Sequence, residues 1–217
     1  MPAALGTLLI LATPGFAAPA EAVDAGWILA RLARPVPDRT AFVELRGSAL
    51  LKAPLRIEGE YRRPREDVLV REVRAPYAET TTIDTGAAAR VTLVRAGKPP
   101  RTFALSRVPE LASLQTSFGA LLAGDRAGLE RHYRIGVAGT RQAWTLTLTP
   151  KDAALAAKVR VIALHGRGAE LRCIETTPVP ARRGAPAAPQ RTLLAGAAER
   201  ARGIADEAAL AALCRGG

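Results

Sequence analysis

The chain is short of almost everything that catalysis ordinarily uses. Its 217 residues include two histidines, His132 and His165, and four serines, Ser48, Ser106, Ser113 and Ser117. Both histidines sit in strand-like runs, so each reads as a structural or surface residue rather than a proton carrier. No serine lies in a Gly-x-Ser-x-Gly elbow, and no His-Glu-x-x-His, Walker A or Gly-x-Gly-x-x-Gly pattern occurs. His165-Gly166-Arg167-Gly168 joins two strand-like runs and opens no helix, so it reads as a hairpin turn rather than a phosphate loop. Cys173 and Cys214 lack the spacing of a redox site or a metal knuckle. No catalytic residue, no cofactor and no metal is therefore assigned, and the chain reads as a non-enzyme.

Other scarcities bound what the fold is built from. Aromatics make up 4% of the chain and there is a single Met, so any core or cavity rests on Leu, Val, Ile and Ala. Lysine is confined to Lys52, Lys98, Lys151 and Lys158, which makes the net charge of +11 almost wholly an arginine charge. It is spread along the chain. Its densest clusters, Arg62-Arg63-Pro64-Arg65 and Arg182-Arg183, lie in turn-like or linker-like sequence. No aromatic RNA-binding motif, paired finger or helix-turn-helix accompanies it, so nucleic acid is not the expected partner. Peripheral contact with an anionic membrane surface, or an acidic protein, suits the charge better.

No apolar run approaches the ~20 residues that span a bilayer. The run Leu5 to Ala12 is followed by Pro14-Gly15 and then small residues. Ala18-Pro19-Ala20 and Ala20-Glu21-Ala22 both fit a signal-peptidase site, although no Lys or Arg precedes the run. Residues 1–20 thus read as a signal peptide, the alternative being a buried apolar strand. Export would place Cys173 and Cys214 in an oxidising compartment; whether they come within reach of each other is left open.

What is there is mostly alternation. Val23 to Arg34 reads as a short amphipathic helix stopped by Pro35 and Pro37. Period two then governs Arg56–Arg62, Arg90–Arg95, Thr102–Ser106, His132–Val137, Trp144–Thr149, Lys158–Leu164 and Glu170–Glu175. Short strands with one wet face and short gaps predict an antiparallel sheet curled into a barrel or half-barrel. Pro109 to Gly124 reads as one helix carrying Leu111, Leu114, Phe118, Leu121 and Leu122 as a single stripe, placed to lid or plug the sheet. Beyond it, 178–190 is Pro- and Ala-rich and reads as a linker, and Thr192–Cys214 as a C-terminal helix.

Five blocks, LLKAPLRIEGEYRRP, VRAPYAETTTIDTGAAARVTLVRAG, PELASLQTSFGALLAGD, AWTLTLTP and ALHGRGAELRCIETT, resemble the periplasmic outer-membrane lipoprotein carrier family (LolA-like) over about residues 25–180. They look most like the divergent members that accompany polyene or fatty-acid-type synthesis in Gram-negative bacteria. The resemblance implies a mainly β fold with helices (α+β), an incomplete antiparallel β-barrel of about eleven strands closed by a lid helix. Its domain would span 21–180, with 181–217 as linker and helix. The apolar cavity would take acyl chains and be lined by Ile57, Tyr61, Val91, Leu93, Phe103, Leu105, Trp144, Leu146 and Leu148 from the sheet. Leu111, Leu114, Phe118, Leu121 and Leu122 would line it from the lid. Gly59-Glu60-Tyr61-Arg62-Arg63-Pro64 matches the family's turn, so Arg63 would hold the lid, and the family's Phe-x-Gln stands here as Phe42-Val43-Glu44. The implied role is a monomeric periplasmic carrier that takes a lipoprotein or lipid-like cargo from an inner-membrane ABC transporter to an outer-membrane acceptor. A scaffold with no internal ligand, and an enzyme or accessory protein acting in polyene-lipid synthesis, stay open as alternatives.

Overall fold

Alternating segments become strands where one side of each can be buried, and here they join in one sheet. The computed structural model describes residues 22–46, 54–87, 89–107, 119–180 and 189–216. Its strands are β1 (Asp38–Arg46), β2 (Leu55–Arg65), β3 (Val68–Ala75), β4 (Glu79–Asp84), β5 (Arg90–Arg95), β6 (Arg101–Ala104), β7 (Tyr133–Gly139), β8 (Trp144–Pro150), β9 (Val159–Arg167), β10 (Glu170–Pro178) and β11 (Gln190–Leu194). They form a single curved antiparallel sheet in the order β6-β5-β4-β3-β2-β1-β11-β10-β9-β8-β7. Among the described residues β6 and β7 are its edges, so the barrel is incomplete, as expected. The predicted leader and its cleavage sites, residues 1–22, lie outside the described residues except for Ala22.

β8 shows how local sequence makes a strand. Trp144, Leu146, Leu148 and Pro150 are buried while Thr145, Thr147 and Thr149 between them are half-buried. The buried set lies on the face that helix α1 (Ala25–Leu32) covers, the inner face. α1 starts at Asp24, whose carboxylate accepts the Trp27 amide at 2.9 Å, and it ends before Pro35. Ala25, Ile28, Leu29 and Leu32 recur at the spacing of one helix face and are buried with Trp144, Leu146, Leu148, Ile162 and Leu164. Each fully buried Leu or Ile contributes ~1.5–3 kcal/mol, so this packing is what docks α1. A second short helix, α2 (Arg126–His132), adds Leu129 to the same cluster. His132 therefore ends a helix rather than beginning a strand. A third, α3 (Ala153–Ala156), sits between β8 and β9.

The outer face departs from the expectation of one wet side. Val43, Leu45, Cys173 and Leu193 point outward and are buried beneath α4 (Ala195–Arg200) and α5 (Glu207–Arg215), with Ala197, Ala198, Ala201, Leu210 and Cys214. A disulfide joins Cys173 of β10 to Cys214 of α5. The reading of Thr192–Cys214 as one helix is corrected at its start. Residues 190–194 form β11, which pairs with β1 on one side and β10 on the other. Its amides are thus used by two neighbouring strands, which outweighs the helix propensity of the Ala-rich stretch. The segment beyond residue 180 consequently adds a central strand and two covering helices to the same sheet. Of the predicted linker, 181–188 lies outside the described residues.

Candidate functional site

Strand pairing sets every described member of the predicted cavity lining on the inner face or above it. Phe42 is opposite both Gly59 and Leu194, Val73 is opposite Gly59, and Ile83 lies between Leu69 and Val91, which in turn faces Phe103. The buried residues fall into three clusters, with half-buried Leu171 and Ile174 packed against both the α1 cluster and the Phe42 cluster. Trp144, Leu146, Leu148 and Leu121 belong to the cluster filled by α1. Ile57 and Tyr61 pack with Phe42, Val73 and Leu194. Val91, Leu105 and Phe103 pack with Ile83. Leu93 is half-buried and belongs to none of the three. Leu111, Leu114 and Phe118 lie outside the described residues. Helical residues 119–122 are described, with Leu121 buried and the chain turning away at Gly124, φ +69°.

Two glycines sit where a side chain has no room. A β-carbon at Gly166 would come within 2.0 Å of the Trp144 ring, and one at Gly59 would come within 1.9 Å of the Glu72 carbonyl oxygen and 2.9 Å of the Phe42 ring. The Trp144 ring is further fixed by its Nε1–H, which donates to the Gly168 carbonyl at 2.9 Å.

Between the α1 cluster and the Phe42 cluster runs a cleft of about 100 Å³. Its walls are apolar at Leu32, Leu69, Leu122, Leu171 and Leu194 and polar at Arg34, Asp38, Thr40, Tyr61, Arg63 and Glu170. Arg63 is nearly buried, and its Nη1–H donates to the Arg34 carbonyl at 3.2 Å. The Arg34 amide in turn donates to the Leu122 carbonyl at 3.1 Å, and its guanidinium reaches the Ala169 carbonyl. Arg63 thus meets the end of α1, and Arg34 links that end to the helix holding Leu121 and Leu122. A cation is favoured there because unpaired carbonyls leave the C-terminal end of a helix partially negative.

A second feature of the inner face was not anticipated from sequence. The Glu44 carboxylate, whose side chain is 2% exposed, accepts from Arg46 at 2.6 and 3.0 Å, from Gln190 at 3.0 Å and from Arg71 at 2.8 Å. The Arg71 guanidinium also lies over the Phe42 ring at 4.9 Å, and Phe42 stacks on Tyr61 with centroids 4.7 Å apart. Burial raises the Tyr61 hydroxyl above its usual range, against the opposing pull of Arg71, so it remains a phenol. Burial also works against the charge on Arg71, and the Glu44 carboxylate opposes it, so the guanidinium stays cationic. The only signal available in sequence was that Phe42, Glu44 and Arg46 share one parity.

On the outer face His165 is half-buried and contacts Thr145 through Nδ1 at 3.2 Å. Among the described residues no helix is long and apolar enough to cross a membrane.

A family model described as outer membrane lipoprotein carrier protein LolA-like matches residues 17–217. Among solved structures, a LolA superfamily protein from Nitrosomonas europaea is similar, with a TM-score of 0.38 and 13% identity, covering 80% of this chain and 91% of that one. No curated protein matches.

Proposed function

We propose, from the premise that this chain belongs to the outer membrane lipoprotein carrier protein LolA-like family, that it shields the acyl chains of a lipoprotein or lipid-like cargo in the periplasm. The observation that carries the reading is the cleft between α1 and the sheet, walled by Leu32, Leu69, Leu122, Leu171 and Leu194. Each methylene kept from water there is worth ~0.8 kcal/mol. Cargo would be received from an inner-membrane ABC transporter and passed to an outer-membrane acceptor. Polyene or fatty-acid-type lipids are the cargo that the divergent family members suggest. Carrying needs no proton transfer, so replacing His132 and His165 together by Ala should leave transfer intact. A loss on the order of 10²–10⁴-fold in a folded double variant would mark a general base instead.

A second reading, a binding module without internal ligand, is favoured by one observation: Trp144, Leu146 and Leu148 are already covered by α1. Native mass spectrometry of protein recovered from the periplasm separates the two. A co-purifying acyl species supports the carrier. Recovery of bare protein, under conditions that retain lipid on a known carrier, supports the module.

A further inference from the structure

One carboxylate of the inner face is met by more than one cation. The Glu44 carboxylate is answered by two guanidinium groups, Arg46 and Arg71, and by the Gln190 amide. One cation would have neutralised it. The neighbouring carboxylate of like parity, Glu79, is taken by Arg95, and Tyr61 is uncharged. Arg71 is 18% exposed and lies against the Phe42 ring, while Arg46 is 48% exposed, so it is the charge on Arg71 that is largely withdrawn from water. Withdrawing a charge from water is costly unless an opposite charge accompanies it. Arg71 is also held in place before any ligand arrives, by Glu44 on one edge and the Phe42 ring on its face. A guanidinium has five N–H donors, of which Glu44 takes one.

We propose that Arg71, assisted by Arg46, seats the anionic oxygen head, carboxylate or phosphate, of an acyl amphiphile whose chain lies along the inner face. The proposal rests on the carrier reading and adds to it a selectivity for head-group charge. Glu44 is a positioning residue that orients both arginines. The fixed fork matches two oxygens of one head better than a mobile lysine would.

The test is isothermal titration of the full chain with dodecanoic acid, dodecyl phosphate and dodecanol, which share one chain and differ in the head. A charge-assisted hydrogen bond separates them by roughly 10–100-fold, so both anions should bind at least about tenfold tighter than the alcohol. The gap should shrink as salt is raised. Whichever anion binds tighter identifies a fatty-acid or a phosphate head, and inorganic phosphate alone should give no saturable heat. Arg71→Met should erase the preference while keeping the alcohol's affinity, and Arg71→Lys should keep part of it. Equal binding of acid and alcohol by the native chain, or an intact preference in Arg71→Met, overturns the head-group site and leaves the carrier standing. Binding of none of the three amphiphiles overturns both. If Arg71→Met does not fold, the native acid-to-alcohol ratio and its salt dependence decide alone.

Discussion

Replacing Arg63 by Met tests how the end of α1 is held. Methionine keeps most of the side chain's apolar length, so the cleft wall is preserved and the donor to Arg34 is what is lost. A hydrogen bond from a charged donor contributes ~1.5–3 kcal/mol, and a cation at the end of a helix ~0.3–1 kcal/mol. Ile28, Leu29 and Leu32, exposed by 0%, 1% and 3%, contribute ~1.5–3 kcal/mol each by burial. The apolar part is the larger, so α1 should stay docked while its last turn opens more often. A loss of about 2 kcal/mol corresponds to a roughly 30-fold rise in that opening. Hydrogen exchange followed by mass spectrometry reads it directly. The amides of Ala33 and Arg34, bonded to Leu29 and Leu122, should exchange roughly 30-fold faster, while those of β8 and β9 keep their native rates. Arg63→Lys, still cationic, should fall between. Unchanged exchange at Ala33 and Arg34 would refute the reasoning, and so would an equal acceleration throughout β8 and β9.

Three further outcomes are expected. Reducing Cys173–Cys214, which closes a separation of 41 residues, should cost about 4 kcal/mol and lower the melting temperature by ~8–16 °C; a drop under ~3 °C contradicts it. Burial, with Arg215 and Arg191 adding and Glu175 opposing, holds the His165 imidazole below its ordinary range. The unfolded chain then takes up a proton first, so stability present near pH ~7.5 drains as pH falls through ~6.5. His165→Asn should flatten that part of the urea-midpoint profile, and an unchanged slope would contradict the assignment. Gly166→Val drives a side chain into the Trp144 ring and should cost ~1–3 kcal/mol. In a Trp144→Leu background most of that cost should vanish, and simple additivity in urea unfolding would count against the contact.

How much could be seen beforehand depended on which faces are covered. β8 was legible because Trp144, Leu146 and Leu148 are buried and the threonines between them much less so. β1 and β11 were not. Val43, Glu44 and Leu45, like Leu193 and Leu194, are buried on both sides of the sheet, so the contrast of period two disappears. Leu193-Leu194-Ala195 then resembles the start of a helix. For the candidate site, alternation told which side chains share a face but not which strands curve toward one another. The division of that face into three clusters was therefore invisible. Glu44 stood out only for its place in Phe42-Val43-Glu44, since its partners Arg71 and Gln190 are 27 and 146 residues away and only the sheet brings them together.

β11, which follows the other ten described strands in sequence, lies in the middle of the sheet, and that position sets an order of assembly. β1 to β6, and β7 to β10, are two runs of consecutive hairpins that can zip locally as they are made. Neither run pairs with the other. Until residues 190–194 arrive, β1 and β10 stand as open edges, and Val43 and Leu45 lack the helices that later cover them. A chain severed at residue 189 would offer both edges to any neighbour, the situation that leads strands into edge-to-edge aggregation. The final stretch therefore works as a clasp: it is the part a protease must spare and the part whose arrival turns two half-sheets into one molecule.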